Sequence, residues 1–447
     1  MNQEACDLTT GSLWKKILLF SFPLMISNVL QVLFNMSDIA VVGQFAGPLA
    51  LGAVGSTTTL VAMFTAFLIG MGGGVNALVA RYFGSRNEKD ISETVHSSAI
   101  ISVGLGIVIL LLGQISSPWI LSLLGTKPEL LEGAMLYLRI YFLGMPAMAV
   151  YNFGNAVFGA VGNTKKPLLF LSAAGVINVL LNLTFVIGFH LDVAGVAIAS
   201  VISQYISAVL IIRALIKSEG TYGLRKKELR LSPKKTKQIL SIGIPAGLQN
   251  AIFQAANLFI QAGVNTFSAT VVAGNSAAAN ADALVYDVMT AFYIACGSFL
   301  GQNYGAGKKE RVKKSYLVSL TYSFGTGLVM GLLLVLFGNQ FLSLFTRDAA
   351  VIEAGRFRLT IMGLCYGVSA FMDCTIAAAR GLGRSLVPTI IVILGSCVFR
   401  VAWIYTIFAY FRTMQSLYLL YIFSWTITAA AEILYFKREY RKEMANY

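Results

Sequence analysis

Four carboxylates, Asp38, Asp282, Asp287 and Asp373, stand inside stretches that are otherwise apolar. An acid at the centre of a bilayer costs about 2.5–3.5 kcal/mol on insertion scales, so a chain that keeps one pairs it, loads it with a cation or protonates it. Asp38 lies in Phe34-Asn35-Met36-Ser37-Asp38-Ile39-Ala40-Val41-Val42-Gly43, close to the outer end of the first long apolar run. With a helical rise of about 1.5 Å per residue, Asp38 is about 8 Å below that surface, and Asn182 and Ser200 are each about 10 Å below it. Asn178 precedes Asn182 by one turn and shares its face, and Asn152 falls near mid-depth of the fourth run. One carboxylate among neutral amide and hydroxyl oxygens suits two loads. It can take a proton, because burial favours the neutral acid. It can hold sodium, a hard cation that prefers oxygen ligands. The spacing leaves both open.

The elements that must position these groups are set by composition. The chain has 447 residues, 57% of them hydrophobic and 12% charged, with a mean hydropathy of +0.73. A soluble domain carries about 25% charged residues. Apolar runs long enough to cross a bilayer recur at 14–43, 48–80, 92–117, 131–161, 167–189, 193–217, 237–267, 270–301, 311–338, 351–381, 387–411 and 415–436. The expectation is an all-α polytopic membrane protein with twelve transmembrane helices. Residues 1–12 are polar and acidic, so no cleavable signal peptide is expected. The cysteines Cys6, Cys296, Cys365, Cys374 and Cys397 are odd in number and lack metal-site spacing, and His96 and His190 are the only histidines. No disulfide framework, zinc site or cofactor is expected. With no nucleophile–base spacing and no metal motif, no enzyme activity is expected either.

The net charge of +14 does not point to nucleic acid, because the basic residues sit in the gaps between runs. Of the thirty-four Lys and Arg, twenty-seven fall on one side, nine of them between Arg213 and Lys237, and only Lys127, Arg347 and Arg412 fall opposite. A basic excess marks the cytoplasmic face, which places both termini in the cytoplasm of a multi-pass protein of the cell membrane. The long connection divides the chain into an N-lobe at 1–217, a basic cytoplasmic linker at 218–236, and a C-lobe at 237–447 ending in a short basic tail. The halves repeat at a shift of 221–222 residues: Pro23 with Pro245, Asn28 with Asn250, Asn35 with Asn257, Glu132 with Glu353, Gly162 with Gly383 and Pro167 with Pro388. An even number of spans per repeat implies two six-helix lobes related by a pseudo-two-fold axis along the membrane normal, the architecture of a transporter that works by alternating access. Gly70, Gly72, Gly73 and Gly74 suit close backbone approach. Pro23, Pro146 and Pro245 each free a backbone carbonyl inside a span.

Several motifs then give a resemblance. Phe34-Asn35-Met36-Ser37-Asp38 with Gly43, Gly159-Ala160-Val161-Gly162-Asn163-Thr164, Asn178-Val179-Leu180-Leu181-Asn182, Gly301-Gln302-Asn303-Tyr304-Gly305-Ala306-Gly307 and Arg380-Gly381-Leu382-Gly383 follow one another through both halves. In these the chain resembles the multidrug and toxic compound extrusion (MATE) transporters. The resemblance implies export of amphipathic, often cationic small molecules in exchange for protons or sodium. It implies a cation-coupling site of Asp38 with Asn178, Asn182, Asn152 and Ser200, and Asp38 and Asn178 as metal ligands if the ion is sodium. Some relatives carry Asp where this chain has Asn182, which leaves Asp38 as the single acid of the cluster. In the second half the relatives' acid on helix seven is replaced by Phe253, flanked by Gln249 and Gln254, so a C-lobe sodium site does not carry over. Asp373, the repeat partner of Asn152, together with Asp282, Gln249, Gln254 and Asn257, is a candidate for the C-lobe or substrate cavity, and Arg400 is a candidate ion-pair partner for Asp373. Arg139, Arg356 and Arg358 are expected to snorkel or to pair between lobes. The partners expected are a small amphipathic or cationic substrate, H+ or Na+, and the lipid bilayer, with the protein acting as a monomer and no nucleic acid bound. A lipid-linked precursor flippase of the same architecture is the alternative; it calls for a strongly cationic cavity.

Overall fold

Residues 6–123 and 125–445 are described in the computed structural model; the outermost ends of the expected lobes, residues 1–5 and 446–447, lie outside the described residues. Apolar runs in lipid have no water for their backbone groups and cross as helices, and every regular element among the described residues is helical. In order these are α1 (Leu13–Val41), α2 (Gly47–Gly84), α3 (Glu88–Leu123), α4 (Pro128–Phe142), α5 (Met145–Ala160), α6 (Lys165–Leu183) and α7 (Asp192–Lys217). They continue as α8 (Pro233–Val264), α9 (Ala269–Gly305), α10 (Lys309–Ser343), α11 (Ala349–Gly381), α12 (Leu386–Phe411) and α13 (Met414–Ala445). The pair α4 and α5 is one span bent by 48°. Pro146 near the start of α5 has no N–H to continue the ladder of α4. The apolar stretch Leu13–Gly84 is 72 residues long and holds two crossings, α1 and α2. Twelve membrane-spanning helical segments result among the described residues, as expected. Their ends agree with the sequence to within about five residues except at α3, which continues through Pro118 to Leu123, at α6, which gives way to a π turn after Leu183, and at α13, which continues to Ala445.

The helices group into two compact units. One comprises Ile26–Gly247 with the segment ending at Asp7; the other comprises Leu8–Met25 and the described residues from Leu248 onward. The first part of α1 therefore belongs with the second unit, and the first part of α8 with the first. Each change of unit falls two residues after a helical proline, Pro23 in α1 and its repeat partner Pro245 in α8.

In the first unit α2 is the central helix. Leu60 and Val54 join Phe142, Leu138 and Val196 in one core, and Val75 and Val79 join Val95, Val157 and Ile211 in another. The glycines of α2 allow close approach: a Cβ on Gly74 would lie 2.7 Å from the backbone of Gly243 in α8, and one on Gly70 would lie 2.5 Å from Ala246 O. The long connection is docked on this unit. Tyr222 is buried, His96 Nε2 accepts the Arg225 N–H at 2.9 Å, and Lys235 pairs with Asp90 at 2.8 Å.

In the second unit α11 is the central helix, with Tyr366, Met362 and Ile376 packed among Val285, Trp425 and Ala429. The buried amides of Gln302 and Asn303 explain their motif. Gln302 Oε1 accepts the Leu8 N–H at 3.0 Å and Asn303 Nδ2 donates to Leu8 O at 3.3 Å, while Arg311 Nη1 donates to Gly11 O at 2.9 Å. These groups hold the chain that leads into α1. The repeat glycines Gly162 and Gly383 have φ of +86° and +80°. Each closes a helix with the six-to-one hydrogen bond of a Schellman turn, Asn163 N–H to Phe158 O and Arg384 N–H to Ala379 O. A left-handed residue is required at both points, which accounts for the glycines of two motifs.

Candidate functional site: an acid–amide cluster in the first unit

Asp38 stands one turn before the end of α1, where the helix loosens into a π turn at Val42–Ala46. The amides of α6 meet it just before that helix passes into its own π turn, Thr184–Gly188. Such turns recur at functional sites because they widen the backbone and redirect side chains. One turn before Asp38, the Phe34 ring lies over Gly175 of α6, where a Cβ would fall 1.9 Å from it. Gly175 is followed by Asn178 one turn on and Asn182 two turns on. The absent side chain lets α1 sit down on α6 and brings Asp38 level with Asn182.

Asn182 Nδ2 donates to Asp38 Oδ1 and, at 3.3 Å, to Asn178 Oδ1. Ser200 Oγ on α7 donates to Asp38 Oδ2 at 3.4 Å. Asn182 is fully buried, and its Oδ1 has no hydrogen-bond partner. An orphaned amide oxygen in such a place is costly, about 1–3 kcal/mol. The cluster thus holds one carboxylate, one unengaged amide oxygen, a second amide oxygen and a hydroxyl, all within one unit. That donor set fits a monovalent hard cation or a proton. It does not fit zinc, and among the described residues no group of three His, Cys, Asp or Glu could hold a metal.

Two neighbours are not marked out by the sequence. Tyr137 and Tyr141 of α4 are stacked with ring centroids 5.5 Å apart, and the Asp38 charge acts on both phenols. Their spacing of one turn is the signal that could have found them. Asn152, by contrast, makes no hydrogen bond to the cluster. It is spaced one turn from Met148, and its Nδ2 donates to the Met148 carbonyl of its own helix at 2.9 Å.

The candidates of the second unit fall into two groups. Asp282 accepts from Arg358 Nη2 and from the Tyr366 hydroxyl, while Arg358 Nη1 donates to Asn275 Oδ1, which also accepts from Tyr418 at 3.1 Å. Arg358 is 5% exposed and sits over the Tyr418 ring, so it is a buried partner of Asp282 in the same unit and does not snorkel. Asp287 follows five residues on along α9, off the stripe that carries Asp282. The other group surrounds Arg400, which is fully buried between the rings of Phe253 at 4.6 Å and Tyr421 at 4.9 Å. It donates to Ser424 Oγ at 3.2 Å and to Asn257 Oδ1 at 3.4 Å. Asp373 makes no ion pair with it; the aromatic faces and neutral oxygens occupy the guanidinium instead. Gln249 Oε1 accepts from Arg380 Nη2 at 2.9 Å and from Thr389 Oγ1 at 3.4 Å. Gln254 is half-buried on α8.

A fifth intramembrane acid, Glu432 of α13, lies near the end of the expected run 415–436 and is fully buried. Its proximity to Lys437 and Arg438 gives it the look of a helix end, but α13 continues past both.

The family model MatE matches the chain twice, over residues 23–184 and 245–406, so that each match begins at one of the paired prolines. The chain is 28% identical over 393 residues to the probable multidrug resistance protein YpnP of Bacillus subtilis, covering 87% of each. It is 24% identical over 411 residues to the probable multidrug resistance protein NorM of Thermotoga maritima, covering 89% of this chain and 86% of that one. An FAD transporter of Shewanella oneidensis is 25% identical over 80% of each chain. Among solved structures, an outward-facing multidrug resistance MATE family transporter of the MOP superfamily has a TM-score of 0.90 at 24% identity, covering 98% of both chains. A MOP superfamily transporter from Pyrococcus furiosus has a TM-score of 0.91 at 23% identity, again covering 98% of both.

Proposed function

The chain belongs to the MatE family of transporters, and from that premise we propose that it is an antiporter of the cell membrane that exports amphipathic, cationic small molecules in exchange for protons or sodium. The observation that carries this reading is the pairing of Asp38 with Asn182 and Ser200 beside the orphaned Asn182 Oδ1. The names of the multidrug resistance relatives support the substrate class.

Both oxygens of Asp38 accept hydrogen bonds, the arrangement of an ionised carboxylate between cation loads. A proton added to Oδ2 can be donated to Ser200, whose hydroxyl reverses its role by rotation. Sodium draws instead on Asp38, Asn178 Oδ1, Ser200 Oγ and, after a half-turn of its amide, Asn182 Oδ1. Either load cancels the charge of Asp38 and with it the attraction for a cationic substrate. Alternating access then exposes the loaded site to the cytoplasm, where the ion leaves and the next substrate binds.

The test is transport by purified protein in liposomes, with a proton or a sodium gradient imposed separately while efflux of a fluorescent organic cation is followed. One gradient drives efflux, and Asp38→Asn abolishes it while leaving the protein folded. Efflux by Asp38→Asn equal to that of the unaltered protein would remove Asp38 from coupling. A flippase for lipid-linked anions calls for unpaired positive charge. Arg358 is neutralised by Asp282, which favours the antiporter.

A further inference from the structure

The side chain of Glu432 is fully buried in the second unit, and neither of its carboxyl oxygens has a hydrogen-bond partner. An ionised carboxylate left bare in that setting is strongly disfavoured against the neutral acid. Packing does not ask for an acid at this point. On α13, Ser424, Thr428 and Glu432 follow one another at one-turn spacing and are all fully buried. At the shift of 221 residues their counterparts on α7 are Ser203, Ser207 and Ile211, also buried. The repeat keeps both hydroxyl positions and replaces an isoleucine by a glutamate.

The surroundings supply a partner that is engaged elsewhere. Arg380 of α11 acts electrostatically on Glu432 but makes no hydrogen bond to it. Its Nη2 donates to Gln249 Oε1 at 2.9 Å, and its Nε is buried without a partner. The other ionisable groups around this point are Tyr435 on α13, which feels the charge of Glu432, and Asp373 on α11 and Tyr293 on α9, which act on Arg380. Arg400 of α12 acts on Asp373 and is held by Asn257 and Ser424.

We propose that Glu432 is a second proton-binding site, in the second unit, switched by Arg380. With Arg380 on Gln249, Glu432 holds a proton. When Arg380 leaves Gln249 and pairs with Glu432, the O–H bond breaks, the proton passes to water and the carboxylate is stabilised by the guanidinium. One proton is bound or released per change of partner. The site stands on its own geometry and does not depend on which ion loads Asp38.

Infrared difference spectra of the protein in lipid, recorded as pH is raised, test this directly. The unaltered protein shows the C=O band of a protonated carboxyl, lost as Glu432 ionises. Glu432→Gln, which mimics the protonated form, lacks this band, whereas Asp38→Asn and Asp373→Asn keep it. Gln249→Ala frees Arg380 for Glu432, so the band disappears at lower pH. Arg380→Gln removes the partner, so it persists to higher pH. A pH-indicator dye in weakly buffered solution reports the matching change in protons released on substrate binding, a proton fewer for Glu432→Gln. A carboxyl region unchanged in Glu432→Gln overturns the proposal. Should that variant not fold, a Gln249→Ala spectrum identical to that of the unaltered protein overturns it equally. Failure of the Asp38 reading leaves the Glu432 band in place, so the two outcomes separate.

Discussion

Phe34 covers Gly175 one turn before Asp38, and this contact sets the level at which the acid of α1 meets the amides of α6. Gly175→Ala puts a methyl group into the ring and lifts α1 away. The expected outcome is loss of ion-driven efflux with a stability loss of about 1–3 kcal/mol, the usual range for overpacking. Gly73→Ala is the control, because a Cβ there meets nothing within 4 Å. Transport in liposomes and thermal unfolding in detergent distinguish the two variants. If Gly175→Ala transports normally, the Phe34 contact does not position the site.

Depth along a helix follows from residue number, so the sequence alone puts Asp38, Asn182 and Ser200 at one level. Rotation about the helix axis does not follow from it. Asn152 has the right depth, yet its amide turns back to Met148. Asp373 and Arg400 are on neighbouring spans, yet aromatic rings take the guanidinium. Glu432 is hidden by nearby basic residues that imitate a membrane boundary.

The ion pair of Asp282 and Arg358 joins a buried guanidinium to a carboxylate that is only slightly exposed, and breaking it leaves an uncompensated charge. Asp282→Ala is expected to cost about 3–5 kcal/mol, and the double change Asp282→Leu with Arg358→Met to cost much less. Arg384 offers the contrast. It is 43% exposed and pairs with Glu439 at 3.2 Å and Glu443 at 2.7 Å. Arg384→Ala is expected to cost less than about 1 kcal/mol despite having two partners. Unfolding midpoints in one detergent check the order; equal losses would mean that burial does not decide the outcome.

The long connection between the halves is fastened at His96 and Ser92 of α3. His96 Nε2 accepts the Arg225 N–H, and Ser92 donates to Glu228, which holds its carboxyl below the usual range. A depressed folded value means that this contribution is present above the unfolded value and is lost as pH falls through the lowered one. His96→Ala removes the acceptor and is expected to loosen the loop by about 1 kcal/mol. Hydrogen–deuterium exchange over residues 219–231 should rise in His96→Ala at neutral pH, and in the unaltered protein only under acid conditions. Unchanged exchange in the variant would show that the buried Tyr222 alone fastens the loop.

Asn182 contributes an amide where the neighbouring groups already include one carboxylate. Its Nδ2 faces Asp38 while its Oδ1 has no partner, so the amide can turn over when a cation enters. Asn182→Asp adds a second charge at the same point and removes the need for that turn. If sodium is the coupling ion, its affinity should rise by about tenfold, or ~1.4 kcal/mol, in calorimetric titrations with sodium chloride against choline chloride. Asn182→Leu has a similar size but no oxygen, and should lose both sodium binding and driven efflux. It also leaves Asp38 with Ser200 as its only donor. Sodium affinity that is the same in the unaltered protein, Asn182→Asp and Asn182→Leu would place the ion away from Asn182. Efflux retained by Asn182→Leu would further mean that Asp38 works without its closest partner.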